Sequence, residues 1–180
     1  MRDRKTVKPN LILTGLMGCG KTTVGRMVAA ELGWAFFDTD RLIEEATGHS
    51  IPALFQEKGE PFFRRVEKEV IRGLAGKTQA VVATGGGAVL DEENRRFLQA
   101  LGLVLYLKTS PEVLGGRVQR SAERPLLTGQ DAVVVLAKLL REREKYYGEA
   151  DEVVNTDGRT PRQVAAEIIS LVWRWGIGGG

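Results

Sequence analysis

Short apolar segments alternate with longer amphipathic segments along this chain, and the alternation predicts its secondary structure. The apolar runs are too short for helices and are rich in Val, Ile and Leu, as is typical of strands buried on both faces of a sheet. In the amphipathic segments, apolar residues recur every three or four positions, as on one face of a helix. The predicted strands are Pro9–Thr14, Ala35–Asp38, Ala80–Ala83, Leu103–Lys108 and Glu152–Asn155.

The segments between these runs predict helices. Asp40, Ser50 and Asp91 each precede such a segment and are predicted N-caps, because their side chains can accept hydrogen bonds from the first turn. Strands that alternate with helices favour an α/β fold, with a mainly parallel sheet of about five strands and helices on both faces. Because no linker or repeat divides the chain, we expect 1–180 to form a single domain. The predicted helices are Lys21–Leu32, Arg41–Ala46, Ile51–Gly59, Pro61–Leu74, Glu92–Ala100, Pro111–Arg120, Ala132–Ala150 and Thr160–Trp175.

The clearest chemical signal lies between the first predicted strand and the first predicted helix. Residues Gly15–Thr22 read Gly-Leu-Met-Gly-Cys-Gly-Lys-Thr and fit the phosphate-binding pattern G-x-x-x-x-G-K-[ST]. In this context backbone N–H groups and a helix N-terminus surround an anion. Lys21 is then placed to reach the terminal phosphates of a nucleotide, and the Thr22 hydroxyl to bind Mg²⁺. An ordinary glycine-rich turn, the alternative, would need neither the lysine nor the hydroxyl.

Composition and charge narrow the function classes. The chain is 43% hydrophobic and 27% charged, with a net charge of +3 that is mixed rather than blocked, so we expect no nucleic-acid partner. Its single cysteine, Cys19, excludes an internal disulfide and a multi-cysteine metal site. No signal sequence and no apolar stretch of membrane-spanning length are present, so we expect a cytoplasmic protein without membrane contact. The abundant surface charge favours a monomer.

Two pairs of charged residues are candidates for binding chemistry. Asp38 ends the second predicted strand and Asp40 follows it, and two carboxylates one residue apart can be divided between a metal ion and a substrate. The alternative is a helix cap beside a solvated strand end. Arg64 and Glu67 share a helix face, and the arginine fork can grip a carboxylate; a surface ion pair is the alternative at this spacing.

The remaining candidates are glycines and arginines in the later segments. Gly85–Gly87 follow a strand, and they indicate either a ligand against the backbone or a tight turn. A loop that carries Arg124 could close over phosphates. Because ligands bind beyond the carboxyl ends of parallel strands, the phosphate loop, residues 38–40 and Gly85–Gly87 should converge in space.

Taken in order, these blocks resemble the shikimate kinase family, and together they span about residues 10 to 161. The resemblance implies a P-loop kinase fold like that of nucleoside-monophosphate kinases. It also implies substrate-binding helices over about 40–75 and a mobile lid over about 119–131. The blocks are Gly15-Leu-Met-Gly-Cys-Gly-Lys-Thr22, Asp38-Thr-Asp40, Phe63-Arg-Arg-Val-Glu67, Gly85-Gly-Gly87, Arg124-Pro-Leu-Leu127, and Arg143 four residues before Tyr147.

The activity that this resemblance implies is ATP-dependent phosphorylation of the 3-hydroxyl of shikimate, on the route to aromatic amino acids. Lys21, Asp40 and Arg124 would be catalytic, and Mg²⁺ would bind Thr22, with Asp38 supporting it through water. A gluconate-like kinase and a nucleotide-binding regulator without turnover remain alternatives. The implied ATP-binding residues are Gly18, Cys19, Gly20, Lys21, Thr22, Thr23, Arg117, Arg124 and Pro161. The implied shikimate-binding residues are Asp40, Arg64, Glu67, Gly85, Gly86, Gly87 and Arg143, with Arg141 one register step from the last of these.

Overall fold

The computed structural model describes residues 8–119 and 132–177 of the chain. In this described part, five parallel strands form one sheet in the order β2-β3-β1-β4-β5. The α/β prediction with a five-stranded parallel sheet is therefore confirmed. The strands are β1 Leu11–Thr14, β2 Ala35–Asp38, β3 Ala80–Ala83, β4 Leu103–Lys108 and β5 Glu152–Asn155.

Strand β1 lies at the centre of the sheet, which explains its uninterrupted apolar sequence. Leu13 pairs with Ala83 on one side and with Leu105 on the other. Because successive side chains point to opposite faces, Leu11 and Leu13 enter one hydrophobic core and Ile12 enters another. Helices on both sides of the sheet cover these two cores, as the sequence predicts.

Seven α-helices are present in the described residues, together with a short 3₁₀ helix at Ala88–Leu90 that the sequence did not predict. Helices α1, α6 and α7 pack on the core that contains Leu13, whereas α3 and α4 pack on the core that contains Ile12. None of these helices is long and apolar enough to cross a membrane. The α-helices are α1 Lys21–Leu32, α2 Thr39–Thr47, α3 Ile51–Arg72, α4 Glu92–Leu101, α5 Pro111–Gln119, α6 Ala132–Tyr147 and α7 Pro161–Arg174.

Helix boundaries agree with the prediction to within two residues at most ends, and the cap of α2 is one correction. Ser50 and Asp91 cap α3 and α4 as predicted. The cap of α2, however, is Asp38 and not Asp40: the Asp38 side chain accepts hydrogen bonds from the Asp40 and Arg41 amides, so α2 begins at Thr39. Helix α3 is broken at Gly59, whose φ of 78° is not helical, at the predicted boundary between two helices.

Helix α6 ends at Tyr147, earlier than the predicted end at Ala150. The predicted lid over about 119–131 falls almost wholly on residues 120–131, which lie outside the described residues, as does Arg124.

Candidate active site

The loop between β1 and α1 has the backbone geometry that its glycines permit. Gly15, Gly18 and Gly20 adopt positive φ angles of 142°, 81° and 99°. A Cβ atom at Gly15 would also lie 2.7 Å from the carbonyl oxygen of Leu107, so this position excludes any side chain. Gly20 is the N-cap of α1, and the loop therefore leads directly to a helix N-terminus, where anions bind favourably.

Lys21 and Thr22 open α1 and differ in exposure. Lys21 is largely buried, and its Nζ donates hydrogen bonds to the carbonyl oxygens of Gly15 at 2.7 Å and Leu16 at 3.1 Å. Thr22 is exposed, and its hydroxyl donates to Asp38 Oδ2 at 2.7 Å. The other Asp38 oxygen caps α2, which fixes the direction of the carboxylate. A hydroxyl and a fixed carboxylate side by side are oxygen ligands of the kind that Mg²⁺ prefers.

Asp40 and Glu67 meet over the first glycine of the loop after β3. A Cβ atom at Gly85 would lie 2.6 Å from Asp40 Oδ1 and 3.1 Å from Glu67 Oε1, so both carboxylates approach the bare backbone here. The Gly85 amide donates to Thr39 Oγ1 at 2.9 Å, which fixes the loop against the start of α2. The glycines of this loop therefore allow charged side chains to approach the backbone closely.

Arg64 approaches the third glycine in the same way. A Cβ atom at Gly87 would lie 2.6 Å from Arg64 Nη1. The guanidinium donates to Glu67 Oε2 at 2.8 Å and to Glu60 Oε1 at 3.1 Å. Glu67 is only 1% exposed, and burial raises the pKa of its carboxyl above 4.5, although the Arg64 charge opposes this rise. The pair thus joins a partly exposed arginine to a buried carboxylate, and it is not an ordinary surface ion pair.

Arg143 reaches the second glycine from α6. Its Nη1 lies 3.7 Å from the position that a Cβ atom on Gly86 would occupy, whereas Arg141 is exposed. The structure thereby selects Arg143 over Arg141 as the arginine of this site. In the sequence, Tyr147 served only to identify Arg143 by its spacing. In the structure, its hydroxyl donates a hydrogen bond to the Gly86 carbonyl oxygen at 2.6 Å.

The buried polar atoms that lack a partner also point to this place. In the described part of the chain, the buried side-chain nitrogen and oxygen atoms without a hydrogen bond are Glu67 Oε1, Tyr106 Oη and Arg143 Nε. Glu67 and Arg143 border the three glycines directly, and Tyr106 stacks on Tyr147, which is bonded to Gly86. Because an unsatisfied buried polar atom costs about 1–3 kcal/mol, its position calls for a ligand or water that supplies the partner.

The nucleotide end of the site is a pocket of about 270 Å³ between the phosphate loop, α5 and the start of α7. Arg117 Nη1 donates to the carbonyl oxygens of Gly18 and Cys19 at 3.4 Å each. The Cys19 side chain is buried, with Sγ 3.6 Å from Lys21 Nζ, so Cys19 presents backbone to the pocket. The lining residues include the predicted Gly18, Cys19, Gly20, Thr23, Arg117 and Pro161.

The parallel sheet, the phosphate loop on its central strand and a second polar site beside that loop define a P-loop kinase of a small molecule. Comparison with known proteins gives the family. The shikimate kinase family model matches residues 17–173.

Individual relatives agree with this match over nearly the whole chain. A shikimate kinase of Moorella thermoacetica is 45% identical over 166 residues, which are 92% of this chain and 95% of the relative. A shikimate kinase of Pseudomonas syringae pv. syringae is 48% identical over 162 residues, 89% of this chain and 94% of the relative. The structure of shikimate kinase from Acinetobacter baumannii in complex with shikimate has a TM-score of 0.87 at 41% identity, covering 92% of this chain and 93% of that one.

The chain belongs to the shikimate kinase family. The resemblance drawn from its motifs is confirmed, and with it the P-loop kinase fold and the activity of an ATP-dependent kinase that phosphorylates shikimate.

Proposed function

We propose that the cleft at the carboxyl edge of the sheet binds ATP on the phosphate loop and shikimate on Gly85–Gly87, and transfers the terminal phosphoryl group to the 3-hydroxyl. One observation carries this assignment: two arginines and two carboxylates from the three helices α2, α3 and α6 converge on three consecutive glycines beside the phosphate loop. Shikimate carries one carboxylate and several hydroxyl groups, which match arginine donors and carboxylate acceptors in kind.

At the nucleotide end, the loop amides and Lys21 would hold the phosphates, and Arg117 and Pro161 would flank the base. Thr22 and Asp38 would hold Mg²⁺, since their oxygens are already 2.7 Å apart at the exposed end of α1. When bound there, Mg²⁺ neutralises charge on the phosphates. Arg124, which lies outside the described residues, remains a prediction as the lid residue that reaches the phosphates.

At the acceptor end, Arg64 and Arg143 would bind the shikimate carboxylate, because a guanidinium fork matches a carboxylate in two hydrogen bonds. Glu67 would keep Arg64 in place through the 2.8 Å bond between them. Asp40 would accept a hydrogen bond from the hydroxyl of the acceptor and later its proton.

Catalysis in this arrangement rests on position and charge. In phosphoryl transfer the protein has little covalent chemistry to perform, and most of the rate comes from aligning donor and acceptor and from stabilising the charge that develops. Asp40 then needs only ordinary basicity, because in a loose transition state the hydroxyl proton leaves late.

We further propose that residues 1–180 form one domain that acts as a cytoplasmic monomer without a nucleic-acid partner. The mixed surface charge and the single buried cysteine support this proposal. Light scattering coupled to gel filtration tests the oligomeric state, and a mass of two chains would contradict the monomer.

The central experiment measures ADP release from Mg-ATP with shikimate, gluconate or AMP as the acceptor. We expect release only with shikimate. Release with gluconate or AMP alone would preserve the nucleotide site but contradict the acceptor site, and no release from protein that binds ATP would favour the regulator.

A matched pair of variants then tests the arginine clamp. Arg64→Lys should raise the KM for shikimate because the fork is lost. Arg65→Lys is the control, because Arg65 is exposed and lies over the Phe62 ring on the same helix. An equal KM in the two variants would remove Arg64 from shikimate binding.

A further inference from the structure

Tyr147 connects two parts of the proposed shikimate site that come from distant places in the sequence. It is the last residue of α6, one turn after Arg143, and it is 1% exposed. Its hydroxyl donates to the Gly86 carbonyl oxygen at 2.6 Å. The Arg143 guanidinium reaches the same glycine, with Nη1 3.7 Å from the position of a Cβ atom there. Tyrosine and arginine therefore meet at one peptide unit.

The ring of Tyr147 has little freedom to move. It stacks on Tyr106 with ring centroids 4.8 Å apart and planes inclined by 14°, and Tyr106 is itself 2% exposed on the buried strand β4. Such a stack fixes the ring plane and hence the direction of the hydroxyl. Burial raises the pKa of this hydroxyl above its ordinary value, while the charge of the neighbouring Arg143 opposes the rise. Tyr147 thus remains a proton donor to Gly86 at any pH near neutrality.

We propose that Tyr147 is a positioning residue for the acceptor: it fixes the Gly86 peptide and the Arg143 guanidinium relative to each other, and so sets the affinity for the shikimate carboxylate. The inference rests on the proposed function, in which Arg143 binds that carboxylate. Arg143 needs such support, because its Nε is buried without a hydrogen bond and its long side chain would otherwise sample other rotamers. Phosphoryl transfer itself takes place at the other end of the acceptor and needs no contact with Tyr147.

The test replaces Tyr147 by Phe, which keeps the stacked ring and removes only the hydroxyl. We expect the KM for shikimate to rise about tenfold, as for the loss of one hydrogen bond near a charged group, while kcat and the KM for ATP stay within about twofold. Tyr146→Phe is the matched control, because the Tyr146 ring faces Arg95 and Lys145 on the other side of the helix end. Its kinetics should equal those of the parent.

A second acceptor separates positioning from general loosening of the fold. The methyl ester of shikimate lacks the carboxylate charge, so Tyr147→Phe should lower kcat/KM about tenfold on shikimate and by less than about twofold on the ester. An equal loss on both acceptors would mean that the hydroxyl only stabilises the fold, and an unchanged KM for shikimate would mean that it positions nothing. Either result overturns the inference.

A third variant distinguishes failure of this inference from failure of the proposed function. Arg143→Lys should raise the KM for shikimate, and Tyr147→Phe should then add little in that background, because the two changes affect one interaction. If Arg143→Lys leaves the KM unchanged, the carboxylate clamp is wrong and the inference fails with it. If Arg143→Lys raises the KM but Tyr147→Phe does not, the clamp stands and only the role of Tyr147 is wrong.

Discussion

A single methyl group at Gly87 offers a direct test of the arginine geometry. The backbone of Gly87 has φ −98° and ψ −5°, which alanine adopts without strain, so Gly87→Ala perturbs neighbours rather than the chain path. The new Cβ would lie 2.6 Å from Arg64 Nη1 and 2.9 Å from Arg64 Cζ. Ordinary contacts between such atoms are about 3.5 Å or more, so the guanidinium must retreat by about 1 Å.

The guanidinium cannot move away without a cost, because it donates hydrogen bonds to Glu67 Oε2 at 2.8 Å and to Glu60 Oε1 at 3.1 Å. A misplacement of about 1 Å in a group that orients a substrate can cost about 100-fold. We therefore expect Gly87→Ala to raise the KM for shikimate about 10- to 100-fold, while the KM for ATP stays near that of the parent.

The assay is a coupled measurement of ADP release, with shikimate and ATP varied separately, and thermal unfolding as a check of the fold. Gly116→Ala on α5 is the control, because a Cβ atom there meets nothing within 4 Å. In an Arg64→Lys background the methyl group should cost little, since the displaced fork is already absent. A KM for shikimate within about twofold of the parent would refute the reasoning.

Variants at three further residues test other parts of the site. Asp40→Asn should lower kcat severely while ATP still binds, as measured by titration calorimetry, and near-parental turnover would remove Asp40 from the mechanism. Thr22→Ala should raise the Mg²⁺ concentration needed for half-maximal rate, whereas Thr22→Ser should restore it; equal values would exclude the hydroxyl as a ligand. Burial raises the pKa of Glu67 above 4.5, so the stability from this carboxyl is lost as pH rises through that raised pKa. Glu67→Gln should therefore flatten the fall in the free energy of unfolding as pH rises above 4.5 in urea titrations, and an unchanged slope would contradict this.

Local sequence patterns predicted most of the fold, because strands, helix caps and helix breaks depend mainly on residues that are close in the sequence. The apolar run that begins at Leu103 forms β4, Ser50 caps α3, and the break at Gly59 appears where the sequence predicts a boundary. Asp38 ends β2 and Asp40 lies two residues later, and both can cap a helix. The choice of Asp38 depends on where β2 ends in the sheet, which spacing alone does not determine.

The site residues that belong to a sequence motif could be predicted. Contacts between residues that are far apart in the sequence could not. The hydrogen bond from Tyr147 to Gly86 joins residues 61 positions apart, and no periodic pattern indicates it. Likewise, spacing left Arg64 and Glu67 as a possible surface pair, and only the 1% exposure of Glu67 shows that the carboxylate of the pair is buried. The choice of Arg143 over Arg141 followed from the direction in which α6 presents each side chain.

The strand order has a consequence for how the chain folds during synthesis. Strand β1 is made first, yet its neighbours in the sheet are β3 and β4, with Leu11 opposite Val81 and Leu103. Helix α1 packs against α7, the last helix of the described chain. Strand β1, which leads into the phosphate loop, therefore cannot pair with both of its neighbours until most of the polypeptide has left the ribosome. Long-range pairing of this kind slows folding. Nascent chains that end before α7 should thus expose the apolar face of α1 and depend on chaperones until the last helix arrives.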